Sequence, residues 1–514
     1  TTGDYNTALG LNSLSANTTA DDNTAVGTNS LLLNTTGSQN VAIGAYALDA
    51  STTGSNLVAI GAYALSSATT MSSNIAIGRR ALFSATTAGD AIAIGYQALH
   101  DLTTGAHNLA IGQNALYNTT TASFNLAIGK DALEANETGT QNIAIGYDAL
   151  TTATGVDYSI AIGVNSQKNN QSGDYNVSLG WQTMKDCTTG SSNVAIGNEA
   201  MEKITTGVQN TALGRTSLYN NTTGNNNTAI GQSALKSNTT AHDNTAVGRT
   251  ALFANTTGTS NTAVGYAALS SNTTNSHNTA VGYNALLNND AQYNTACGKD
   301  AVKTNTSGSR LVGVGNRALY SNTTGNHNHA FGDHALFACT TASANTAVGF
   351  EAGTALTTGH STVAIGYQSL VTATTAFRNI AIGYQAGYSI TDGGDNVCIG
   401  YQAGHYNTSL TTGDDNVFVG NFVETGDANA IKTIAIGYNA IGKGSNTGMM
   451  RASSGMYQSN NSSTWSTTSD IRIKKNVVDN NTGLDKINQI RVRNFEYKTE
   501  EEIKTDSPEL SDVV

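Results

Sequence analysis

A glycine recurs every 17 residues through most of this 514-residue chain, and each one closes a short phrase such as NTAVG, NIAIG or NVAIG. The step is 17 from Gly10 to Gly282, is 16 once at Gly298, is 20 once before Gly420, and is otherwise 17 up to Gly437. The phrase therefore occurs in 26 copies. A period this strict indicates one structural unit that is stacked many times, because a single short unit cannot bury a core alone.

The residue types within each copy are nearly fixed when the closing glycine is numbered as position 0. Position −1 is apolar in all 26 copies, position −2 is Ala in 22, and position −4 is Asn in 20. Position +4 is usually Leu, and positions +7 to +10 often read NTTG. The β-branched phrase, bounded by Asn and Gly, predicts a strand of about five residues. The NTTG block predicts a turn, because Asn and Thr bond the local backbone and Gly permits positive φ. The exceptions at position −2 are Ser178, Gly313, Cys398 and Phe418.

The alternation of side chains along a strand places positions −3 and −1 on one face and positions −4 and −2 on the other. One face must line the interior of the coil, and the apolar character of the other indicates a second cover, which a neighbouring chain could supply. We expect each coil to hold two short strands and two turns around a thin interior filled by Ala and Leu. Stacked Asn residues at position −4 should form a ladder of amide hydrogen bonds.

The predicted fold class is therefore all-β, a parallel β-solenoid of about 26 coils with a 17-residue repeat. Coils that rise by about 4.8 Å would form a rod of roughly 125 Å. Residues 1–442 are predicted to be this solenoid shaft. The chain begins with TTG in the middle of a repeat and without Met, so we expect it to be a fragment of a longer polypeptide.

Composition and motifs exclude several function classes. The net charge is −11, which disfavours nucleic acid as a partner. No apolar run approaches the length of about 18 residues needed to cross a bilayer, so membrane insertion is not expected. No P-loop, zinc motif or Gly-x-Ser-x-Gly elbow occurs, and paired carboxylates do not recur as in a glycosidase. No cofactor is predicted from these motifs. The cysteines lack motif spacing and are interpreted as small buried hydrophobes: Cys187, Cys297, Cys339 and Cys398.

The phrases NVAIGAYAL and NIAIGYDAL resemble the head repeats of YadA-type trimeric adhesins, which carry a VAIG phrase. The resemblance covers roughly residues 1–442. It implies a left-handed parallel β-roll of three chains, and therefore a homotrimer. Coils of that family are typically a few residues shorter, and the NTTG turn would absorb the difference.

The composition changes abruptly after an irregular junction at residues 443–468. Residues 469–514 contain 18 charged residues among 46. Their opening, SDIRIKKNVVDNNTGLDKINQIRVRNFEYK, resembles the endosialidase-type intramolecular chaperone found at the C-terminus of phage tail fibres and tailspikes. Residues 469–514 are accordingly predicted to be the N-terminal part of a small α+β chaperone domain. The matching residues are Ser469, Asp470, Arg472, Lys474 and Asn476, then a helix-like stretch from Leu484 to Ile490 and the strand FEYK.

This second resemblance implies a role for two residues. In that family the chaperone trimerises, directs assembly of the fibre, and then cuts itself off just before the serine of the S-D-x-R-x-K motif. Carried over here, Ser469 would be the nucleophile and Lys474 its base, since a serine needs an adjacent base to become nucleophilic. Taken without the resemblance, SDIRIKK equally suits a polar, solvated helix start or strand. The chain runs through the junction and would be the uncleaved precursor.

Three functions are compatible with this organisation. The first is a structural fibre of a phage virion, such as a tail fibre, that is extracellular, contacts other virion tail proteins and binds a host cell-surface glycan or protein receptor. The second is a trimeric adhesin on a bacterial cell surface, which would need a membrane anchor where the chaperone motif stands. The third is a polysaccharide depolymerase, which the low number of acidic residues disfavours. Autoproteolysis is the sole enzymatic activity expected of the fibre.

Aromatic residues follow the marker glycine in several copies. Eight copies have Tyr at position +1, and Trp181 and Phe350 occupy the same position in two others. Such a column could bind glycans, or its rings could stack on neighbouring coils as part of the structure.

One copy reads NHNHAFGDHALF and places His327 and His329 at positions −5 and −3. Residues two apart on a strand point to the same face. If that face met the axis of a trimer, six imidazoles would converge and suit an octahedral metal such as iron or nickel. An H-x-H pair with this role is also a feature of some phage fibres, which the chain resembles. The alternative is that the pair lies on the outer face or extends a polar ladder.

Overall fold

The computed structural model describes residues 2–451 and, beyond them, the backbone of strands Met456–Gln458 and Ser466–Thr467. Contacts divide the chain into two units, residues 1–464 and residues 465–514, and the repeats lie in the first. The described residues contain no helix. None of them forms a segment of the kind that could traverse a lipid bilayer as a helix. The strands in chain order are β1 Thr7–Leu9, β2 Thr24–Val26, β3 Val41–Ile43, β4 Val58–Ile60, β5 Ile75–Ile77, β6 Ile92–Ile94, β7 Leu109–Ile111, β8 Leu126–Ile128, β9 Ile143–Ile145, β10 Ile160–Ile162, β11 Val177–Leu179, β12 Val194–Ile196, β13 Thr211–Leu213, β14 Thr228–Ile230, β15 Thr245–Val247, β16 Thr262–Val264, β17 Thr279–Val281, β18 Thr295–Cys297, β19 Val312–Val314, β20 His329–Phe331, β21 Thr346–Val348, β22 Val363–Ile365, β23 Ile380–Ile382, β24 Val397–Ile399, β25 Val417–Val419, β26 Ile434–Ile436, β27 Gly448–Met450, β28 Met456–Gln458 and β29 Ser466–Thr467.

Strands β1 to β26 each come from one repeat, and each pairs in parallel with the next at the equivalent position. Ala144 of β9 lies opposite Ala161 of β10, for example. Equivalent positions stay paired across the two irregular steps: Thr279 pairs with Thr295 across the short coil, and Val397 pairs with Val417 across the long one. The sheet continues to β27 and turns antiparallel at β28. The prediction of an all-β parallel solenoid of 26 coils is confirmed.

Each coil contains one strand of three residues, so the expectation of two strands per coil was wrong. The reason lies in the backbone on either side of the strand. In the third coil, Gln39, Tyr46 and Leu48 at positions −5, +2 and +4 have φ values of 61°, 60° and 51°. Residues in this left-handed region cannot extend a strand, and they bend the chain back on itself instead. The same three positions are left-handed in almost every coil.

The left-handed Leu at position +4 is explained by what it fills. A non-glycine residue in such a conformation costs about 1–3 kcal/mol. Full burial of a Leu side chain contributes roughly 1.5–3 kcal/mol, which offsets that cost. Leu150 is fully buried together with Ala144 at position −2 and Ala149 at position +3. Ala and Leu thus fill a thin interior, as predicted.

Three coils replace the Leu at position +4 by Gly, and the same coils carry a bulky aliphatic residue further on, at position +7 in two of them and at position +10 in the coil with the insertion. A Cβ added to Gly387 would lie 3.1 Å from Cδ1 of Ile390, so the smaller residue makes room for the larger one. At Gly387 the volume lost at position +4 is therefore offset within the same coil, in keeping with the close packing of protein interiors. The pairs are Gly353 with Leu356, Gly387 with Ile390, and Gly404 with Leu410.

Asn at position −4 forms the expected ladder, although mainly through the backbone rather than from amide to amide. Asn40 is fully buried, its Oδ1 accepts the N–H of Leu57 in the next coil at 3.0 Å, and its Nδ2 donates to the carbonyl of Gly54 at 2.8 Å. Direct amide contacts occur as well, as between Asn227 Nδ2 and Asn210 Oδ1 at 3.1 Å. Buried amides that are satisfied in this way stabilise the stack without leaving unpaired polar groups.

A second ladder runs along position +7, where the sequence had indicated turn chemistry alone. Asn238 Nδ2 donates to Asn221 Oδ1 at 2.9 Å, and Asn255 Nδ2 donates to Asn238 Oδ1 at 3.1 Å. The ladder is interrupted after Asn272, whose Oδ1 has no partner among the described residues, and it resumes where Asn305 Nδ2 donates to Asn289 Oδ1 at 2.7 Å. Asn289 belongs to the 16-residue coil. In that coil Asn289 Nδ2 donates to the carbonyl of Ala291, two residues ahead, whereas the other turns use the carbonyl three residues ahead. The deletion therefore shortens this turn.

A buried polar cluster interrupts the apolar interior near residue 170. Gln167 Nε2 donates to Ser178 Oγ at 2.8 Å and to the carbonyl of Ile160 at 2.9 Å. Ser166 Oγ lies 2.5 Å from Ser178 Oγ, and Asn170 Nδ2 donates to Gln167 Oε1 at 3.1 Å. The four polar side chains are fully buried and satisfy one another. We refer to Ser166, Gln167, Asn170 and Ser178 as the polar node; it separates two apolar clusters, residues 14–161 and 184–440.

Candidate functional site

The outer surface of the strands is a largely apolar face, which we call the strand face and define as positions −3 and −1 of the 26 coils; Thr or His takes position −3 in ten of them. Position −2 is buried in nearly every coil, so the alternation of the strand turns the larger Ile, Val and Leu side chains outward. Ile43 is 39% exposed and Leu213 is 45% exposed. A parallel sheet is normally covered on both faces, and the described residues provide no cover for this one. A patch of this extent marks an interaction surface.

The four cysteines take two different environments. Cys187, Cys339 and Cys398 are buried, and burial raises the pKa of each thiol to about 12. These three are inert small hydrophobes, as predicted. The prediction of burial was wrong for Cys297, because position −1 of β18 points outward and leaves this residue exposed on the strand face.

The aromatic residues at position +1 stack on one another along the last third of the solenoid. Phe350, Tyr367, Tyr384 and Tyr401 follow in consecutive coils, with ring centroids 5.3, 5.2 and 4.9 Å apart and planes within 13° of parallel. Tyr266 and Tyr283 form a similar pair. The faces of these rings are therefore occupied by neighbouring rings, which favours the structural interpretation of the column over glycan binding.

The three-residue insertion in the 20-residue coil is held by buried and half-buried polar groups. One carboxylate oxygen of Glu424, a buried residue, accepts the backbone N–H groups of Asn407 and Thr408, both at 2.8 Å. His405 Nδ1 lies 2.9 Å from Ser389 Oγ and 3.2 Å from Ser409 Oγ. Burial lowers the pKa of His405 below its usual value.

The two predicted metal ligands, His327 and His329, lie in different backbone environments. His329 is the first residue of β20, whereas His327 lies before the strand with a left-handed φ of 57°. The alternation argument that put both side chains on one face therefore does not apply to His327. Both residues are exposed in the single chain. Within the described part of the chain, no three His, Cys, Asp or Glu residues are grouped to hold a metal ion. A site completed by other copies stays a prediction.

The predicted autocleavage residues, Ser469 and Lys474, lie outside the described residues. Comparison with known families bears on this segment, because residues 469–510 match the family described as chaperone of endosialidase. The matched segment begins at Ser469 itself. No curated protein matches the chain. The resemblance of the repeats to YadA-type heads stays a prediction, while the C-terminal resemblance is confirmed. The chain thus consists of an all-β solenoid followed by a C-terminal segment, residues 469–510, that matches the chaperone-of-endosialidase family.

Proposed function

We propose that the chain is the shaft of a homotrimeric phage tail fibre that attaches the virion to a host surface. The observation that carries this proposal is the match of residues 469–510 to the chaperone of endosialidase, directly behind a long solenoid. A chaperone in this place serves the assembly of the fibre that precedes it. The exposed strand face supports the proposal, since it offers each chain an apolar surface that other copies can cover.

We further propose that the chaperone removes itself after assembly. Ser469 would attack the peptide bond that precedes it, and Lys474 would accept the serine proton as the base. The attack moves the acyl group of residue 468 to Ser469 Oγ, and water then releases the shaft with a new carboxyl terminus. The products are a shaft that ends at residue 468 and a free segment that begins at Ser469.

Production of the protein with its complete C-terminal domain, followed by mass spectrometry, tests cleavage. The parent should yield a shaft that ends at residue 468. Ser469→Ala should stay full-length, and Lys474→Ala should match it. Ser463→Ala, six residues before Ser469, is the control and should be cut like the parent. A parent that is never cut under assembling conditions would refute self-cleavage.

A metal at the trimer axis remains a separate proposal for His327 and His329. Imidazoles from three chains would supply six nitrogen ligands to iron or nickel. Elemental analysis of material purified without chelator should find one ion per trimer, and His329→Gln should abolish it, whereas His360→Gln should not. Less than about a tenth of an ion per trimer would reject the site.

The alternative of a bacterial trimeric adhesin depends on the repeat phrase alone. It shares the homotrimer and the extracellular location with the fibre proposal, but it assigns no role to the chaperone domain. The depolymerase alternative stays disfavoured by the low number of acidic residues in the chain, 36 of 514.

A further inference from the structure

An open cleft of about 320 Å³ lies on the side of the solenoid near its middle, lined by Trp181, Asn198, Glu199 and Arg215. Three of these residues occupy position +1 of consecutive coils, and Glu199 occupies position +2 of the middle coil. We propose that this cleft binds one pyranose ring of a surface glycan. The proposal deepens the proposed function, because it rests on the attachment role and names the class of receptor.

The face of the Trp181 indole is uncovered. Trp181 is 45% exposed, and the aromatic and cation–π pairs of the described residues do not include it. Its neighbours in the +1 column are Val164 and Asn198, so no ring stacks on it from either side. The tyrosines of the same column differ, because neighbouring rings occupy the faces of several of them. An exposed indole face suits the flat C–H surface of a pyranose.

Polar groups surround the indole ring in the cleft. Neither Glu199 nor Arg215 belongs to an ion pair in the described part of the chain. A carboxylate and a guanidinium each bind two neighbouring groups at once, which matches vicinal sugar hydroxyls. A pocket with one aromatic wall and a few convergent polar groups is the usual form of a small-ligand site.

The cleft is built on a rigid backbone and has the dimensions of a sugar ring. The backbone N–H of Glu199 donates to the carbonyl of Trp181 at 2.9 Å, and that of Thr216 donates to the carbonyl of Asn198 at 3.0 Å. The coils therefore hold the lining residues at a fixed spacing, which lowers the entropy lost on binding. Trp181 and Arg215 are two coils apart, a distance of about 10 Å, and one sugar ring fits between them above Asn198.

The carboxylate in the cleft and the net negative charge of the chain favour a glycan over a nucleic acid as the ligand. The Glu199 carboxylate faces the same cleft as Arg215, and the chain carries a net charge of −11. The Glu199 carboxylate and the net negative charge of the chain would both repel phosphate groups. A hydroxyl-rich ligand instead uses the carboxylate as a hydrogen-bond acceptor and the guanidinium as a donor.

A printed array of defined neutral, amino and acidic oligosaccharides, probed with the full chain, tests the proposal. Glycans bound on the array are then titrated by fluorescence in a Trp465→Phe background, in which Trp181 is the remaining indole. We expect saturable binding that Trp181→Ala weakens at least about tenfold and that Trp181→Tyr largely restores. Arg215→Ala and Glu199→Gln should each weaken binding as well.

Tyr147→Ala is the matched control, because Tyr147 occupies the same column two coils earlier and is 46% exposed. It should bind like the parent. The proposal is overturned if no glycan on the array binds, if Trp181→Ala binds as well as the parent, or if acrylamide fails to quench Trp181 in the assembled protein. Self-cleavage and oligomer mass are measured independently, so a failed cleft with intact assembly would leave the proposed function standing.

Discussion

Gln167 Nε2 donates a hydrogen bond to Ser178 Oγ across 2.8 Å in the interior of the solenoid, where the two neighbouring coils have Leu or Met and Ala at the equivalent positions. Removing one partner leaves a buried polar group unsatisfied at a cost of about 1–3 kcal/mol, whereas replacing both by apolar groups is close to neutral. We therefore expect Gln167→Leu and Ser178→Ala to destabilise these coils singly. The triple variant Gln167→Leu/Ser178→Ala/Ser166→Ala should recover most of the lost stability.

Hydrogen exchange of the amides in residues 160–183 measures this coupling, because local opening of a repeat array is not a global two-state transition. Strictly additive effects of the substitutions would contradict the polar node as a cooperative unit.

The marker glycines are expected to be intolerant of any side chain. Gly265 has φ of 133°, and a Cβ added there would lie 2.4 Å from the carbonyl oxygen of Gly282 in the next coil. Gly265→Ala should cost at least about 3 kcal/mol locally and expose neighbouring coils to exchange. Gly89→Ala is the control, because no atom lies within 4 Å of the added Cβ and φ is not positive. Equal protection in the two variants would show that the coils do not stack this closely.

Sequence periodicity predicted the solenoid, its register and the inward Ala at position −2. It could not predict one strand per coil, because a left-handed Leu is uncommon and its occurrence at position +4 depends on the interior that it fills. The ladder at position +7 was missed for a related reason. Asn34 bonds the carbonyl of Gly37 within its own turn, as turn chemistry predicts, and stacking alone reveals the amide contact to the next coil.

The candidate sites were less predictable. The motif beginning at Ser469 was recognisable because its charged residues are specific. The cleft at Trp181 was not, because it combines position +1 of three coils with position +2 of one, and no local spacing signals it.

The loop at residues 405–409, in the coil that carries the three-residue insertion, should loosen in acid. Burial holds the pKa of His405 below its usual value, so the unfolded loop binds a proton more readily than the folded one. Stability contributed by neutral His405 is present above the unfolded pKa of about 6.5 and is lost as the pH falls through and below it. Hydrogen exchange of residues 404–410, corrected for intrinsic rates, should be faster at pH 5.5 than at pH 7.5. His405→Gln should remove the difference, and His360→Gln should retain it; a pH-independent parent would contradict this role.

Cys297 reports on the strand face directly. Its thiol is exposed in the single chain, while the other three described cysteines are buried. If copies of the chain cover the strand face, a thiol reagent should modify none of the four in the native assembly and all four after denaturation. A Cys297→Ser variant identifies the reactive site. One thiol that reacts rapidly in the native assembly, and is lost in Cys297→Ser, would place the strand face in solvent.

The central claim is that three copies of the chain cover one another through the strand face. Mass photometry of the purified protein measures the assembly directly, with Ile143→Lys/Ile145→Lys as the variant on the strand face and Gln141→Lys as an exposed control just outside it. Two charges on an apolar interface are expected to prevent association. The account predicts three times the chain mass for the parent and the control and a lower mass for the double variant. A stable monomer for the parent would contradict it.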